Sequence, residues 1–367
     1  MALSGKSILV VGGGIAGLTI ARALALRGAQ VRLQETAPEL TEVGAGIQIT
    51  PNGGAVLRAL GLWDAAEAAG LRATKARLND GPSGKPIISM NLDKAHWLLM
   101  ARPALIDVLE KGAREAGVGI SLGSPWDGDT GADIVIGADG VHSRVARFLN
   151  ATGEVGFSGQ VAWRAVIPGD GDPIADVFMG PGRHLVSYPL KDGRRNIVAV
   201  EERDVWAADG WNHEDNPAVL RLAFEGFGGP VQDWLKAVDK VWLWGLMNYS
   251  VAKRWHDGKM VILGDAAHPT LPFLAQGANM ALEDAWVLAK ALDEHEPAEA
   301  MARYEAIRRP RVTRVLTAAD RNGANYHMSN PVMRRVAHNV LKLGEAVRPG
   351  SALKHYRWLW GHDVTAD

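Results

Sequence analysis

Ser7-Ile8-Leu9-Val10-Val11-Gly12-Gly13-Gly14-Ile15-Ala16-Gly17-Leu18 is the stretch on which the reading of this chain turns. The apolar run from Ser7 to Val11 has the unbroken hydrophobic character of a strand buried in a parallel sheet. Gly12-x-Gly14-x-x-Gly17 leads from it into an apolar-periodic helix from Leu18 to Arg27, which Gly28 stops. Val31 to Leu33 resumes a strand and Glu35 ends it, closing a βαβ unit of about thirty residues. In such a unit Gly12 permits the tight turn, Gly14 lets the backbone approach a pyrophosphate, and Gly17 lets the helix lie close on the strand. The helix start, with Ile15 and Ala16 in its loop, offers free N–H groups and a positive dipole end to the anion. Glu35, eighteen residues beyond Gly17, stands where a carboxylate accepts from ribose hydroxyls. NAD and FAD both use such a loop, and the loop alone does not choose between them.

Working outward, the same order of strand, glycine-containing turn and helix recurs. A second helix is expected at Pro103 to Ala116. A third strand, Ala132 to Ile136, leads into Gly137-Ala138-Asp139-Gly140. A fourth, Lys259 to Leu263, leads into Gly264-Asp265, with a helix from about Gly277 to Leu292. An Asp at the carboxyl end of a buried strand lies where ligands meet an open α/β sheet. Taken singly, Asp139 or Asp265 reads equally well as a helix cap, but two such turns on the sheet of the first loop are harder to explain that way. These pieces form one discontinuous α/β domain over residues 1–74, 93–159 and 252–297. Between them, Val161 to Ile167, Arg183 to Leu190, Asn196 to Glu201 and Val241 to Val251 are rich in β-branched and aromatic residues and separated by turn clusters. Residues 75–92 and 160–251 are therefore expected to form a mainly antiparallel sheet inserted into the first domain, and 298–367 a helical, Arg-rich C-terminal region. The expected class is α/β (α+β overall), a Rossmann-like domain with an inserted sheet.

The chain has 367 residues, enough for roughly two domains, and 47% of them are hydrophobic against 22% charged, which excludes wholesale disorder. Forty Lys and Arg against 41 Asp and Glu leave a net charge of -1, so no basic field draws nucleic acid or an anionic membrane. Cysteine is absent, which removes disulfides, thiolate metal sites and covalent cofactor attachment through sulfur; no metal is expected. No apolar run reaches the ~20 residues of a membrane span, and the N-terminus enters a strand without a signal-like cleavage region. A cytoplasmic protein is the expectation. Thirteen Trp against five Tyr and six Phe is an aromatic balance to which we attach no function.

The set GGGIAG (residues 12–17), GADGVHSR (137–144) and GDAAHPTLPFLAQGANMALEDAW (264–286) resembles the single-component FAD-dependent aromatic hydroxylases, flavoprotein monooxygenases, and most of all their salicylate hydroxylase-like branch. Arg102-Pro103-x-Leu105-x-x-x-Leu109 is similar to the family segment whose Arg reaches FAD. Arg357-Trp358-Leu359-Trp360-Gly361-His362-Asp363 resembles that branch's WLYGxD ending, with Trp360 in place of Tyr. The likeness runs over nearly the whole chain. It implies non-covalent FAD, with Gly12, Gly14, Ile15, Ala16, Gly17 and Glu35 around its ADP part. It further implies Arg102, Gly264 and Asp265 at the pyrophosphate–ribityl region and Asp139 in a turn associated with FAD and reduced nicotinamide. Pro272 would lie beside the flavin, and Gly277, Ala278 and Asn279 would offer backbone N–H groups to its pyrimidine edge. A helix start there is suited independently to negative charge on reduced flavin. As in the family, only one GxGxxG is present, so NADH or NADPH would act as co-substrate without a domain of its own.

The same resemblance implies the reaction: NAD(P)H reduces the flavin, O₂ adds, and a flavin C4a-hydroperoxide hydroxylates an electron-rich ring. The expected substrate is a small aromatic acid such as salicylate, another hydroxybenzoate or a hydroxylated pyridine carboxylate; with salicylate, attack at the carboxyl-bearing carbon would release CO₂. A base near the phenol raises ring reactivity. His184 and Tyr188, four apart in one strand, project from one face and match the position where some hydroxybenzoate hydroxylases of the branch place a catalytic His and a substrate-contacting Tyr. The alternative is a core or solvent-facing strand pair. Arg164 is either the partner of a substrate carboxylate or a solvent-facing or structural cation. Gln276 and His268 flank the flavin-side helix; Gln276 is a candidate substrate contact, His268 a structural turn residue. Trp163-Arg164-Ala165-Val166-Ile167-Pro168 misses the second Trp of the flavin halogenase W-x-W-x-I-P, so hydroxylation is preferred. The rival readings are a reductase or oxidase on this scaffold, a non-catalytic flavin-binding protein, and a nicotinamide-only dehydrogenase. The helical C-terminus is a candidate homodimer contact.

Overall fold

The computed structural model describes residues 3–40, 46–128, 131–150, 155–206 and 212–366. The chain opens with β1 (Ser7–Val11), α1 (Ile15–Ala25), β2 (Gln30–Gln34), β3 (Gly46–Ile49), α2 (Pro51–Ala59) and α3 (Trp63–Ala69). β4 (Leu71–Arg72), β5 (Lys75–Asp80), β6 (Pro86–Asn91), β7 (Leu98–Ala101), α4 (Arg102–Glu115), β8 (Gly119–Ser121), β9 (Ile134–Gly137) and α5 (Arg144–Leu149) follow. Next come β10 (Val155–Pro168), β11 (Ile174–Gly180), β12 (Arg183–Pro189), β13 (Arg194–Glu202), β14 (Asn212–Asp215), α6 (Pro217–Ala223), α7 (Val231–Lys236), β15 (Val241–Tyr249) and β16 (Met260–Ile262). The chain finishes in helices: α8 (Gly277–Glu294), α9 (Pro297–Tyr326), α10 (Pro331–Val347), α11 (Ser351–His355) and α12 (Arg357–Trp360).

Five strands make a wholly parallel sheet in the order β16-β9-β1-β2-β8. Its central strand β1 is buried along Ile8 to Val11, as a strand covered on both faces must be. α1 packs against α8 and α4, and Gly17 is what allows α1 to approach β1: a Cβ there would lie 1.8 Å from the Gly12 carbonyl oxygen. The expected α/β class is therefore found. A three-stranded sheet, β3-β7-β4, also appears; its strands are two to four residues long, too short for a period-two pattern to stand out in sequence.

The large sheet runs β14-β15-β10-β13-β12-β11-β5-β6. Every pair is antiparallel except β11 with β5. Alternation along the strands gives it two different faces. One carries Val161, Trp163, Leu185, Ile197 and Ala199, packed against Leu220 of α6 and Val231 and Leu235 of α7. On the other, β12 presents His184, Val186 and Tyr188, and register places Val186 opposite Val198 of β13 and that in turn opposite Arg164 of β10.

α8 and α9 are joined by buried charge. Arg308 donates to Glu283 Oε2 at 2.6 Å and to Asp284 Oδ1 at 2.7 Å, Arg311 bonds both oxygens of Glu283, and Asn52 donates to Glu283 Oε1 at 2.6 Å. Asp284 also accepts from the Gly264 N–H and pairs with His268 Nε2 at 2.6 Å. Burial alone would raise the Asp284 carboxyl; His268 and Arg308 outweigh it and hold the pKa at about 2. His268 thus ties the turn after β16 to α8, a structural role. No helix among the described residues is long and apolar enough to cross a membrane.

Candidate active site

The carboxyl ends of the parallel strands face the His184 side of the large sheet across a cavity of about 740 Å³, within the ≈ 300–1,000 Å³ typical of ligand sites. Gly12, Gly14, Ile15, Ala16, Glu35, Arg102, Asp139, Asp265, Pro272, Gly277 and Ala278 all line it, as do Arg164, His184, Tyr188 and Gln276. Three segments separated by more than a hundred residues are therefore brought to one space. Gly17, Gly264 and Asn279 stand behind its wall. Gly17 serves the α1–β1 contact described above. The Asn279 side chain accepts from Thr50 N and donates to the carbonyls of Gln48 and Ala275.

The β1–α1 turn has two glycines with opposite duties. Gly12 has φ +106°, and a Cβ on it would lie 2.4 Å from the Ala138 carbonyl oxygen, so the turn itself requires glycine. A Cβ on Gly14 would meet nothing within 4 Å; its missing side chain widens the cavity at the N-cap of α1. Glu35 accepts from the Gly13 N–H at 2.6 Å and from the Ala37 N–H at 2.8 Å, which binds the ends of β1 and β2 together. Arg102, Arg144 and Arg147 border the same cavity, a group of cations suited to a pyrophosphate. Sequence reasoning did not single out Arg144 and Arg147, although both lie in or next to the GADGVHSR turn; Arg144 also donates to the Trp126 carbonyl, and Arg147 to those of Ser143 and His142.

Asp139 does cap: it accepts from the Arg144 N–H at 2.6 Å and from the Ser143 hydroxyl while still lining the cavity. Capping and cavity contact are thus combined in one residue. Asp265 is reached by solvent through the cavity yet has protein packed around it, and that burial raises its carboxyl pKa against the opposing pull of His268 and Arg102. Pro272 begins the short turn Pro272–Leu274 ahead of α8, and Ala275 at its end has φ +54°. Ala275 is the one non-glycine residue with positive φ among the described residues, and strain of this kind is often stored beside a functional site. α8 then begins with Gly277 and Ala278 at the cavity wall, its positive end directed there.

His184 and Tyr188 share the wall with Val186, Val198 and Arg164, so Arg164 faces inward. Its guanidinium also lies 4.7 Å from the centre of the Trp244 ring. Burial raises the Tyr188 hydroxyl, opposed by the positive charge of Arg164. Burial, with His327 beside it, drives the His184 imidazole well below its ordinary pKa, so this ring is neutral at neutral pH. Gln276, the candidate substrate contact, lies at the cavity wall as well. Its amide donates to the Thr50 hydroxyl and the Leu274 carbonyl and accepts from Asn52, so it borders the cavity with its hydrogen bonds already made. A second cavity of about 580 Å³ opens from the same place, sharing Gln48, His184, Val186, Pro272 and Ala275 and running between the large sheet and α10 and α11.

The side-chain-free wall at Gly14, the two helix N-termini and the cations fit a dinucleotide with a pyrophosphate and an electron-accepting ring. Those residues would hold FAD. Comparison with known proteins agrees. Residues 6–125 and 127–319 match the family described as FAD binding domain. The 3-amino-4-hydroxybenzoate 2-monooxygenase of Streptomyces cremeus is 34% identical over 96% of this chain and 94% of its own length. The 3-hydroxybenzoate 6-hydroxylase of Polaromonas naphthalenivorans (strain CJ2) is 31% identical over 97% and 96%. A solved salicylate hydroxylase substrate complex shares the fold, with TM-score 0.81 over 99% of this chain and 97% of that one at 22% identity. The match extends well beyond the nucleotide loop into the large sheet and the C-terminal helices, and on it the chain belongs to the FAD binding domain family, among the FAD-dependent aromatic hydroxylases.

Proposed function

We propose that this protein is an FAD-dependent monooxygenase that uses NADH or NADPH and O₂ to hydroxylate a small aromatic acid, a hydroxybenzoate such as salicylate or a hydroxypyridine carboxylate. The balance is one ring C–H (or, in a decarboxylating case, C–COOH) bond exchanged for C–OH, with NAD(P)H oxidised and one oxygen atom leaving as water. The observation that carries the reading is the convergence of the pyrophosphate loop, the Asp139 and Asp265 turns and the Arg164–His184–Tyr188 wall on one cavity. Bound there, FAD supplies the redox and oxygen-transfer chemistry. The chain's part is positioning, water exclusion and proton handling. Free N–H groups at the start of α8, with the helix dipole behind them, would stabilise negative charge on the reduced flavin. Arg164 holds the substrate carboxylate in a charge-assisted pair, Tyr188 contacts the ring's polar substituents, and the neutral His184 takes the phenolic proton. Val186, Val198 and Pro272 give the ring a dry wall.

Purified protein is tested with a panel of aromatic acids for stimulated NADH or NADPH oxidation, with product mass. Stimulation by at least one hydroxylated ring acid and a gain of one oxygen is expected. NADH consumption indifferent to every acid supports a reductase or oxidase, and yellow protein that neither NADH nor NADPH reduces supports a non-catalytic flavoprotein. We place the enzyme in the cytoplasm, where reduced nicotinamide is at hand. Self-association into a homodimer is supported by α10, whose Met333, Val336, Val340, Leu343 and Val347 are exposed at the alternating three- and four-residue spacing that a partner helix packs; a monomeric mass in light scattering at micromolar concentration refutes it.

A further inference from the structure

Three residues drawn from three places in the chain form a line from the cavity to solvent. His184 on β12 is 2% exposed, and its Nδ1 lies 2.7 Å from Nε2 of His327. His327, the C-cap of α9, has its Nδ1 2.9 Å from Oε1 of Glu202 at the end of β13. The His327 side chain is 1% exposed and that of Glu202 52%. Backbone contacts hold the line in place: Gly182 donates to the His327 carbonyl at 3.0 Å and accepts from the Glu202 N–H at 2.9 Å. Phe273 and Tyr326 pack on the His184 ring, and Arg183, itself paired with Glu201, is the other charge facing His327.

The chemistry of the end group sets every proton in the line. An ionised carboxylate only accepts, so His327 must present Nδ1–H to Glu202. In a neutral imidazole that leaves Nε2 of His327 as an acceptor, and His184 must then carry its proton on Nδ1 to donate to it. Nε2 of His184, which bonds to no protein group among the described residues, is left as a bare lone pair on a ring that borders both cavities. Both rings stay neutral because burial disfavours their charged forms.

We propose that Glu202 and His327 are positioning residues that fix His184 in the tautomer able to accept a phenolic proton and carry that proton to solvent. This rests on the reading of His184 as the base at the substrate ring. The phenol O–H proton goes to His184 Nε2, the His184 Nδ1 proton to His327 Nε2, and the His327 Nδ1 proton to Glu202, which exchanges it with water. Nothing is oxidised. The reverse passage returns a proton when the hydroxylated product leaves as the neutral phenol.

The test uses the FAD-loaded enzyme with 2-hydroxy-5-nitrobenzoate, whose phenolate is coloured, in a stopped flow with a pH indicator. In the wild type, phenolate colour and proton release should rise together. Glu202→Gln and His327→Ala should slow both by about a hundredfold, the scale of a lost proton-transfer group, with ligand affinity and flavin spectrum little changed, and added imidazole should restore part of the rate to His327→Ala. Nitrogen-15 shifts of the wild type should show Nδ1 protonated and Nε2 bare in both rings, an arrangement that packing alone would not require, and Glu202→Gln should disturb it. Unslowed deprotonation in both variants, with normal turnover of aromatic acids, removes the relay and leaves the hydroxylase reading standing. A wild type that binds no hydroxybenzoate and is stimulated by none overturns both.

Discussion

Gly14→Asp separates cofactor binding from folding at a single atom. A Cβ at Gly14 meets nothing within 4 Å, and the backbone there is extended, with φ −76° and ψ −172° at the N-cap of α1. Asp is among the preferred N-cap residues and suits the positive end of the helix, so the apoprotein should lose no stability. The new carboxylate, however, projects into the space assigned to the pyrophosphate. At about 4 Å and an effective dielectric of about 20, like charges repel by about 4 kcal/mol, and at 1.4 kcal/mol per decade FAD affinity should fall by roughly a thousandfold. Gly12→Ala is the contrasting change. Its Cβ would lie 2.4 Å from the Ala138 carbonyl oxygen at φ +106°, adding about 1–3 kcal/mol of backbone strain and about 1–3 of overpacking. With about 2.1 cal/mol/K of unfolding entropy per residue over 367 residues, each kcal/mol moves Tm by about 1.3 °C, so Gly12→Ala should lower it by about 3–8 °C. Apoprotein Tm from circular dichroism and FAD affinity from flavin fluorescence quenching check both halves. Gly14→Asp that binds FAD within threefold of wild type, or melts as early as Gly12→Ala, refutes the assignment of this wall.

Arg164→Gln should raise KM for carboxylate-bearing substrates by about tenfold to a hundredfold, the loss of a charged hydrogen bond of roughly 1.5–3 kcal/mol, while the flavin absorption spectrum stays unchanged; steady-state kinetics over the acid panel reads this. Arg308→Ala should cost about 3–5 kcal/mol, because Glu283 and Asp284 would remain buried without their shared cation, and a denaturant midpoint measures it. For pH dependence, the Asp284 carboxyl is held at about 2 in the folded chain, below the about 3.9 of an unfolded Asp. Its contribution is therefore complete above about pH 4 and lost as the pH falls toward 2. Tm of the wild type should drop across that window, and the drop should be shallower in Asp284→Asn; equal slopes in the two proteins would remove Asp284 as the cause.

Much of the nucleotide side of the site was readable because its signals are local. Gly12, Gly14 and Gly17 fall within residues 12–17, between a strand and a helix with clear patterns, and Asp139 and Asp265 each follow a buried strand that announces itself by composition. The substrate side was less legible. That His184, Tyr188 and Arg164 face one cavity depends on the register of β10, β13 and β12, since a slip of one residue turns every side chain to the opposite face. Alternation along β12 said that His184 and Tyr188 share a face, without saying which face. The hydrogen bonds that tie the Gln276 amide to Thr50 and Asn52 were not legible, because those residues lie over two hundred positions away. β11 and the short strands β3, β4 and β7 went unread for want of length or contrast.

The sequence by itself determined that a βαβ dinucleotide unit exists and that no thiol or strong net charge contributes, while the scaffold around that unit was implied by resemblance to the FAD-dependent aromatic hydroxylases. Those properties follow from neighbouring residues and from totals. Only the tertiary structure decided which faces meet and what partners each polar group finds. His184 and His327 are 143 positions apart, and no periodicity links the end of α9 to β12. Their contact arises because the end of α9 meets the start of β12 and the end of β13. The identity of a proton's path is therefore a property of chain topology, and becomes visible only when the chain has closed on itself.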